Sequence, residues 1–431
     1  MKDKEQAQQL EGILTLLKKH QLEVAELETL LDHSSGSMLW WKEKKSGLQS
    51  RKGNERILHP IRERSKNWDS TQNIVIEGDN LDALFLLQQS HRNQIKLIYI
   101  DPPYNTGRRF VYNDRFSKKD NIHATWLNMM YPRLLKAKEL LTEDGVLLVS
   151  ISDHEMHQLR CILDEIFGHK NFVSTFVWET KRVAKGVPPR NLLMSNHEYV
   201  LCYAKNSDKV RFYGLPRSKE GFSNPDQDPR GDWRSESMKA TGRAQSNRYT
   251  ITDPHSGNEF TAVWAFSKKK LEKMIADNLV IWPSSMYGTP RQKKFFHSYT
   301  NRTKAIATSL GFHSTEKSTR ELTELFGGRV FDFPKPQSLL RFFTRQILRS
   351  GDTALDFFAG SGSLAAAVLQ HPEKDVHYIL VQSPEPCTKK STAYRMGYET
   401  IADITLKRVY LEDLSYNQGY RVYKIAQPTT S

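Results

Sequence analysis

Cysteine is scarce. The three residues of this type, Cys161, Cys202 and Cys387, stand far apart in a chain of 431, and none belongs to a CxxC pair. Such spacing speaks against a disulfide framework or a structural zinc site and suits a reducing compartment. No group of His, Cys, Asp and Glu carries metal-ligand spacing, so no metal is expected. Long apolar runs are missing too: none approaches the ~18 residues of a membrane span. The opening Met1-Lys2-Asp3-Lys4-Glu5 has no apolar stretch of a secretory signal. The expectation is a cytoplasmic protein without membrane contact. With no Walker A loop, the chain is not expected to hydrolyse ATP alone. Acidic charge is in deficit, with 49 Asp and Glu against 63 Lys and Arg, a net charge of +14. This balance admits a polyanionic partner without requiring one.

Leu10, Ile13, Leu14 and Leu17, then Val24, Leu27, Leu30 and Leu31, recur at helical spacing. Residues 1–41 thus read as a helical segment, either a packed hairpin or a dimerisation element, and 42–72 as a polar linker. From residue 73 the texture is α/β. Short apolar runs at 73–77, 96–100, 145–151 and 197–204 read as strands, with helical patterns at 80–91, 124–142 and 154–167. That alternation predicts a mostly parallel sheet with helices on its faces. Residues 205–330 break the pattern, being rich in Ser, Asn, Asp, Gly, Pro and basic residues. Between 205 and 304 there are 19 Lys and Arg against 10 Asp and Glu, so this stretch holds most of the surplus charge. The α/β texture resumes at 338–349 (helix), 352–358 (strand), 361–370 (helix) and 377–382 (strand). Residues 73–204 and 331–431 therefore read as two halves of one core, interrupted by an insert.

Two motifs carry the chemistry. The strand ending at Asp356-Phe357-Phe358 runs into Ala359-Gly360-Ser361-Gly362-Ser363. A strand, a glycine-rich turn and then a helix form a nucleotide-binding turn. Gly360, Gly362 and Ala365 also satisfy the dinucleotide fingerprint GxGxxA, which leaves an oxidoreductase open. Asp101-Pro102-Pro103-Tyr104-Asn105-Thr106-Gly107 is more specific. It follows the strand at 96–100, hence lies at a carboxyl strand edge, where α/β sheets place ligands. The prolines remove two N–H donors but keep their carbonyls. An amino group there meets two acceptors, the Asp101 carboxylate and a carbonyl, and its base meets the Tyr104 ring. Chemistry on a flipped-out base has these needs.

The pair of motifs resembles the signature of amino-group DNA methyltransferases. Its order, catalytic before cofactor motif, resembles the beta class, whose class I Rossmann-like sheet is circularly permuted. Ile76-Glu77-Gly78-Asp79-Asn80-Leu81, Phe110-Val111-Tyr112-Asn113-Asp114-Arg115-Phe116, Trp126-Leu127-Asn128-Met129-Met130, Asn196-His197-Glu198-Tyr199-Val200 and Phe333-Pro334-Lys335-Pro336 extend it toward the modification (Mod) subunits of type III restriction–modification systems. The similarity covers about 70–205 and 330–390.

That resemblance implies site-specific methylation of adenine N6 in double-stranded DNA, with S-adenosylmethionine as the donor. It implies a direct displacement in which Asp101 and the Pro102 carbonyl accept hydrogen bonds from the amino group, Pro103 shapes the turn and Tyr104 stacks on the base. It places Asp356, Phe358, Ala359, Gly360, Ser361, Gly362 and Ser363 around the cofactor, with Asp79 and Asn80 near its adenine and Lys335 against its methionine part. Gln382 stands where many relatives carry the Glu that grips the ribose, and Glu385 follows three residues on, so either can serve. Asn105 and His197 are expected toward the DNA, with His197 and Glu198 shaping the base pocket. Lys268, Lys269 and Lys270 are candidate phosphate contacts within a target-recognition insert. A homodimer and a separate restriction subunit are further expectations. Cytosine or RNA as the methyl acceptor stays open, although the Asp at position 101 favours adenine.

Overall fold

The computed structural model describes residues 39, 41, 44, 56–107, 122–182, 192–242, 247–299 and 303–427. The expected N-terminal helical segment, apart from residues 39 and 41, and the 110–116 motif lie outside them. The chain divides into two compact units, Met1–Tyr213 with Ala307–Ser431, and Gly214–Ile306.

The larger unit begins with β1 (Ile57–Pro60), β2 (Ile74–Glu77), α1 (Asn80–Ser90), β3 (Ile95–Ile100), α2 (Ile122–Leu140), β4 (Leu141–Ile151), α3 (Met156–Phe167), β5 (Phe172–Glu179) and β6 (His197–Ala204). The smaller unit carries β7 (Leu215–Pro216), β8 (Trp233–Ser237), β9 (Arg248–Thr252), β10 (Glu259–Val263), α4 (Lys268–Ala276), β11 (Val280–Ile281), β12 (Arg291–Phe295) and β13 (Thr303–Lys304). The larger unit then resumes with β14 (Ser309–Phe312), α5 (Thr315–Phe326), α6 (Gln337–Ile347), β15 (Thr353–Asp356), α7 (Ser363–Leu369), β16 (His377–Gln382), α8 (Thr392–Arg395), α9 (Ile401–Tyr416) and β17 (Arg421–Ala426).

Among the described residues, ten strands form one sheet in the order β1-β17-β2-β16-β15-β3-β4-β6-β5-β14. Eight point the same way; β1 at the edge and β6 are reversed. The central strands are apolar without alternation because helices cover both faces. Ile95, Leu97, Ile98, Tyr99 and Ile100 of β3 are all buried, as are Val146, Leu147, Leu148 and Val149 of β4. Among the helices, α2 buries Trp126, Leu127, Met130 and Leu134, and α6 buries Leu339, Leu340, Phe343 and Ile347.

The strand order is that of the permuted arrangement. β15 and β16, late in the chain, enter between β2 and β3, and Leu355 pairs in parallel with Ile98. The loops that follow β3 and β15 therefore emerge side by side.

Several boundaries differ from the sequence reading. Part of the expected linker at 42–72 is structured, since β1 pairs antiparallel with β17 and caps the sheet edge. The expected insert, 205–330, is wider than the smaller unit: β14 pairs with β5, and α5 packs beneath α9. These segments are short or polar on one face, so their membership of the core shows only through their pairing. The smaller unit has its own core of Met238, Ile251, Phe260, Trp264, Leu271, Met274 and Val280. Among the described residues, no helix is long and apolar enough to cross a membrane.

Candidate active site

A cavity of about 470 Å³ opens where the loops after β3 and β15 meet, within the range of roughly 300–1,000 Å³ common for small-molecule sites. Asp101, Pro102, Pro103 and Tyr104 line it together with Asp356, Phe358, Ala359, Gly360, Ser361, Ser363, Lys335, His197, Gln382 and Glu385. The two motifs, remote in sequence, share one wall.

The turn that carries Asp101–Tyr104 is held from outside. The Trp126 indole donates to the Pro103 carbonyl at 2.7 Å, bracing the turn from α2. Asn105 has a left-handed backbone (φ 59°) and a buried side chain that donates to Glu155 at 2.6 Å. His123 pairs with the same Glu155 oxygen at 2.8 Å. Asn105, expected toward the DNA, thus anchors the loop through a largely buried side chain.

Asp101 and Lys335 are the electrostatic centre. The Lys335 ammonium lies 3.2 Å from the Asp101 carboxylate and 3.0 Å from Glu198. It also stands 4.7 Å from the Tyr104 ring centre and 5.8 Å from that of Trp178. Tyr104 donates its hydroxyl to Glu198 at 3.0 Å. Burial pushes the Asp101 carboxyl above the ordinary carboxylate range; Lys335 opposes that shift and Glu198 adds to it. For Lys335, burial disfavours the charge, but Asp101 and Glu198 outweigh it and raise its pKa. Lys335, expected against the cofactor, is paired in this structure with Asp101 and Glu198.

The glycine turn after β15 is braced by α9. Thr405 donates to the Gly360 carbonyl at 2.6 Å, and the buried Arg408 donates to the hydroxyls of Ser361 and Ser363 at 3.1 and 2.9 Å. Gly360 and Gly362 both have left-handed backbones, φ 53° and 77°. A Cβ on Gly360 would meet Phe331 at 3.3 Å, and one on Gly362 the Thr405 carbonyl at 3.4 Å. Glycine is needed for this backbone geometry and for packing on protein, and Gly362 does not line the cavity. Asp356 accepts from the Phe358 N–H at 2.9 Å; burial raises its carboxyl well above the usual range, and nearby Asp101 raises it further.

Asp79 and Asn80 lie behind this wall. Asp79 caps α1 by accepting from Leu81 and Asp82, and it pairs with Arg133 at 3.3 Å. Asn80 donates to the Phe357 carbonyl at 2.8 Å and accepts from Arg133 at 2.5 Å. They set the loop after β15 without lining the cavity. Gln382 accepts from the Gly360 N–H at 2.7 Å and donates to the Ser383 carbonyl at 3.1 Å. At the rim, His197 pairs with the Tyr199 hydroxyl at 3.0 Å, which donates to Asp153 at 2.9 Å. In the smaller unit, Lys268, Lys269 and Lys270 form the exposed first turn of α4, which is anchored by buried Leu271 and Met274.

The lining suits a cationic, partly apolar ligand. Four carboxylates, Asp101, Glu198, Asp356 and Glu385, face two lysines, Lys181 and Lys335, beside Phe331, Phe333, Phe358, Leu340 and Ile401. The family model described as DNA methylase (N6_N4_Mtase) matches residues 95–386. The chain belongs to this family. Relatives of this chain include the Mod subunit of the type III restriction-modification enzyme StyLTI from Salmonella typhimurium, 31% identical over 407 residues, covering 84% of this chain and 61% of the relative. The EcoPI Mod subunit of Escherichia phage P1 is 32% identical over 414 residues, covering 81% and 63%. The type II methyltransferase M.KpnI of Klebsiella pneumoniae is 31% identical over 380 residues, covering 80% and 89%. The chain spans about three fifths of the length of the two Mod subunits.

Sequence reading missed Arg408, Thr405, Glu155 and Trp178. None sits in a motif, and each acts through a contact with residues distant in the chain. An Arg at helical spacing from Ile401 and Ile404 was the available signal for Arg408.

Proposed function

We propose that this DNA methylase transfers a methyl group from S-adenosylmethionine to N6 of a flipped-out adenine in double-stranded DNA, as the modification component of a restriction–modification system. The observation that carries the reading is the shared wall: Asp101 and the Asp356–Ser363 turn line one cavity. Bound S-adenosylmethionine supplies an electrophilic methyl group on a sulfonium centre.

In this reading the acid-rich lining attracts the ligand's positive charges, with Asp356, Phe358, Ala359, Gly360, Ser361 and Ser363 around it and Gly362 setting the turn. Gln382 is committed to the Gly360 N–H, so Glu385 takes the ribose hydroxyls. Asp101 and the Pro102 carbonyl accept from the adenine amino group, drawing its lone pair out of ring conjugation and accommodating growing positive charge. Tyr104 stacks on the base, opposite the face that Lys335 covers. His197 forms part of the base-side rim. The smaller unit, Gly214–Ile306, reads target DNA, with Lys268, Lys269 and Lys270 on phosphates. A homodimer acting beside a separate restriction subunit, in the cytoplasm, completes the proposal.

The test is to incubate the protein with isotopically labelled S-adenosylmethionine and mixed-sequence duplex DNA, then digest to nucleosides. N6-methyladenosine in its deoxy form is expected. N4-methylcytosine would move the target to cytosine, and no labelled nucleoside from a folded protein would overturn the function. Light scattering that reports only monomer, with and without DNA, would remove the dimer.

A further inference from the structure

Lys335 is unusually constrained for a lysine. Pro334 and Pro336 flank it, Phe333 before them has φ 52°, and Pro336 forms the N-cap of α6. Its side chain is only 10% exposed. The ammonium is held between two carboxylates and two aromatic rings, so its position is defined from four sides.

Asp101 faces an unfavourable setting without that cation. Glu198 approaches from β6 and Asp356 from the end of β15, while Tyr99 of β3 and Tyr104 of its own loop complete its ionisable surroundings. Three carboxylates in one low-dielectric pocket favour protonation of at least one. A protonated Asp101 becomes a donor at the oxygen where an amino group needs an acceptor. Glu198 binds both the Lys335 ammonium and the Tyr104 hydroxyl, so one carboxylate sets the cation and the stacking ring together.

We infer that Lys335 is a positioning residue for Asp101, keeping its carboxylate ionised and oriented toward the target amino group, while Glu198 couples that cation to Tyr104. The inference rests on the methyl-transfer reading. It assigns Lys335 to the base side of the cavity, not to the cofactor.

The experiment compares the full-length protein with Lys335→Gln, Lys335→Arg and Glu198→Gln. Single-turnover methyl transfer is followed from about pH 5 to about pH 9. For Lys335→Gln the rate at neutral pH should fall by about tenfold or more, and the acidic limb should move up by about one pH unit. Cofactor Kd by calorimetry should stay within about threefold, and Lys335→Arg should recover much of the rate because it restores the charge. Independently of turnover, carbon-13 carboxyl NMR of aspartate-labelled protein, assigned with Asp101→Asn, should show the Asp101 midpoint rising in Lys335→Gln. An unchanged midpoint, or a loss confined to cofactor Kd, overturns the inference. Wild-type protein that transfers no methyl group overturns the function instead, and the NMR midpoint still reads the Lys335–Asp101 coupling by itself.

Discussion

Arg408 donates to Ser361 twice, to its carbonyl at 3.3 Å and its hydroxyl at 3.1 Å, from a guanidinium that is almost wholly buried. The same group reaches Ser363 and pairs with Glu412 at 3.5 Å. Burial lowers the pKa of Arg408, and Glu412 opposes the shift. The glycine turn is therefore fastened to α9 by one charged side chain. Arg408→Met should cost about 1–3 kcal/mol, because it takes the guanidinium from Glu412, which keeps the Gln337 amide, and removes a donor from the turn's buried hydroxyls. Urea unfolding would measure this. A loss below about 1 kcal/mol would show that the fastening is dispensable.

Asp101→Ala should abolish transfer while leaving cofactor affinity within a few-fold, because the carboxylate faces the base side of the cavity. Burial already raises this carboxyl, and protonation turns one of its two acceptor oxygens into a donor. Wild-type activity should thus fall as pH drops through that raised value, at a higher pH than a free Asp (about 3.9) would set. Substantial turnover by the alanine variant, or a rate that is flat down to pH of about 4, would contradict the role.

Gly360→Val and Gly362→Val should weaken S-adenosylmethionine binding through the backbone. A β-branched residue at positive φ is strained by roughly 1–3 kcal/mol, and its Cβ presses on Phe331 or on Thr405. The turn must then shift, dragging Asp356 and Ser361 with it. Calorimetry on the folded variants should show binding weaker by about tenfold or more. Unchanged affinity would separate this turn from the cofactor.

Reversing Lys268, Lys269 and Lys270 to Glu should weaken binding to all DNA sequences alike. Each lost phosphate contact should flatten the slope of log affinity against log salt by about 0.9. These side chains are exposed while Leu271 and Met274 secure the helix, so the melting temperature should barely move. An unchanged salt slope would make the run a solvated face only.

The two motifs, the strands β3, β6 and β16, and the alternation around them were legible because each is local. Apolar runs of strand length, a strand feeding a glycine turn, and prolines beside Asp101 act over a few residues. The basic, polar stretch after β6 was legible as a break in that texture. Its borders were not, since β14 belongs to the core only by pairing with β5. Nor did any local signal mark β1 and β17, which complete each other as an edge pair.

Sequence alone determined which residues could do the chemistry: a carboxylate, two proline carbonyls and an aromatic ring at one strand end, and a glycine turn at another. Tertiary structure decided what they face. Inserting β15 beside β3 brought Asp101 and Asp356 to one wall, a matter of strand order that no local pattern encodes. Packing turned Asn105 into a brace, since a buried polar group must find a partner, and set the half-buried Asp79, Asn80 and Gln382 against neighbouring loops. It also aimed Lys335 at Asp101, because a buried ammonium is tolerated only where carboxylates meet it. That requirement acts through space, between segments that the chain keeps far apart.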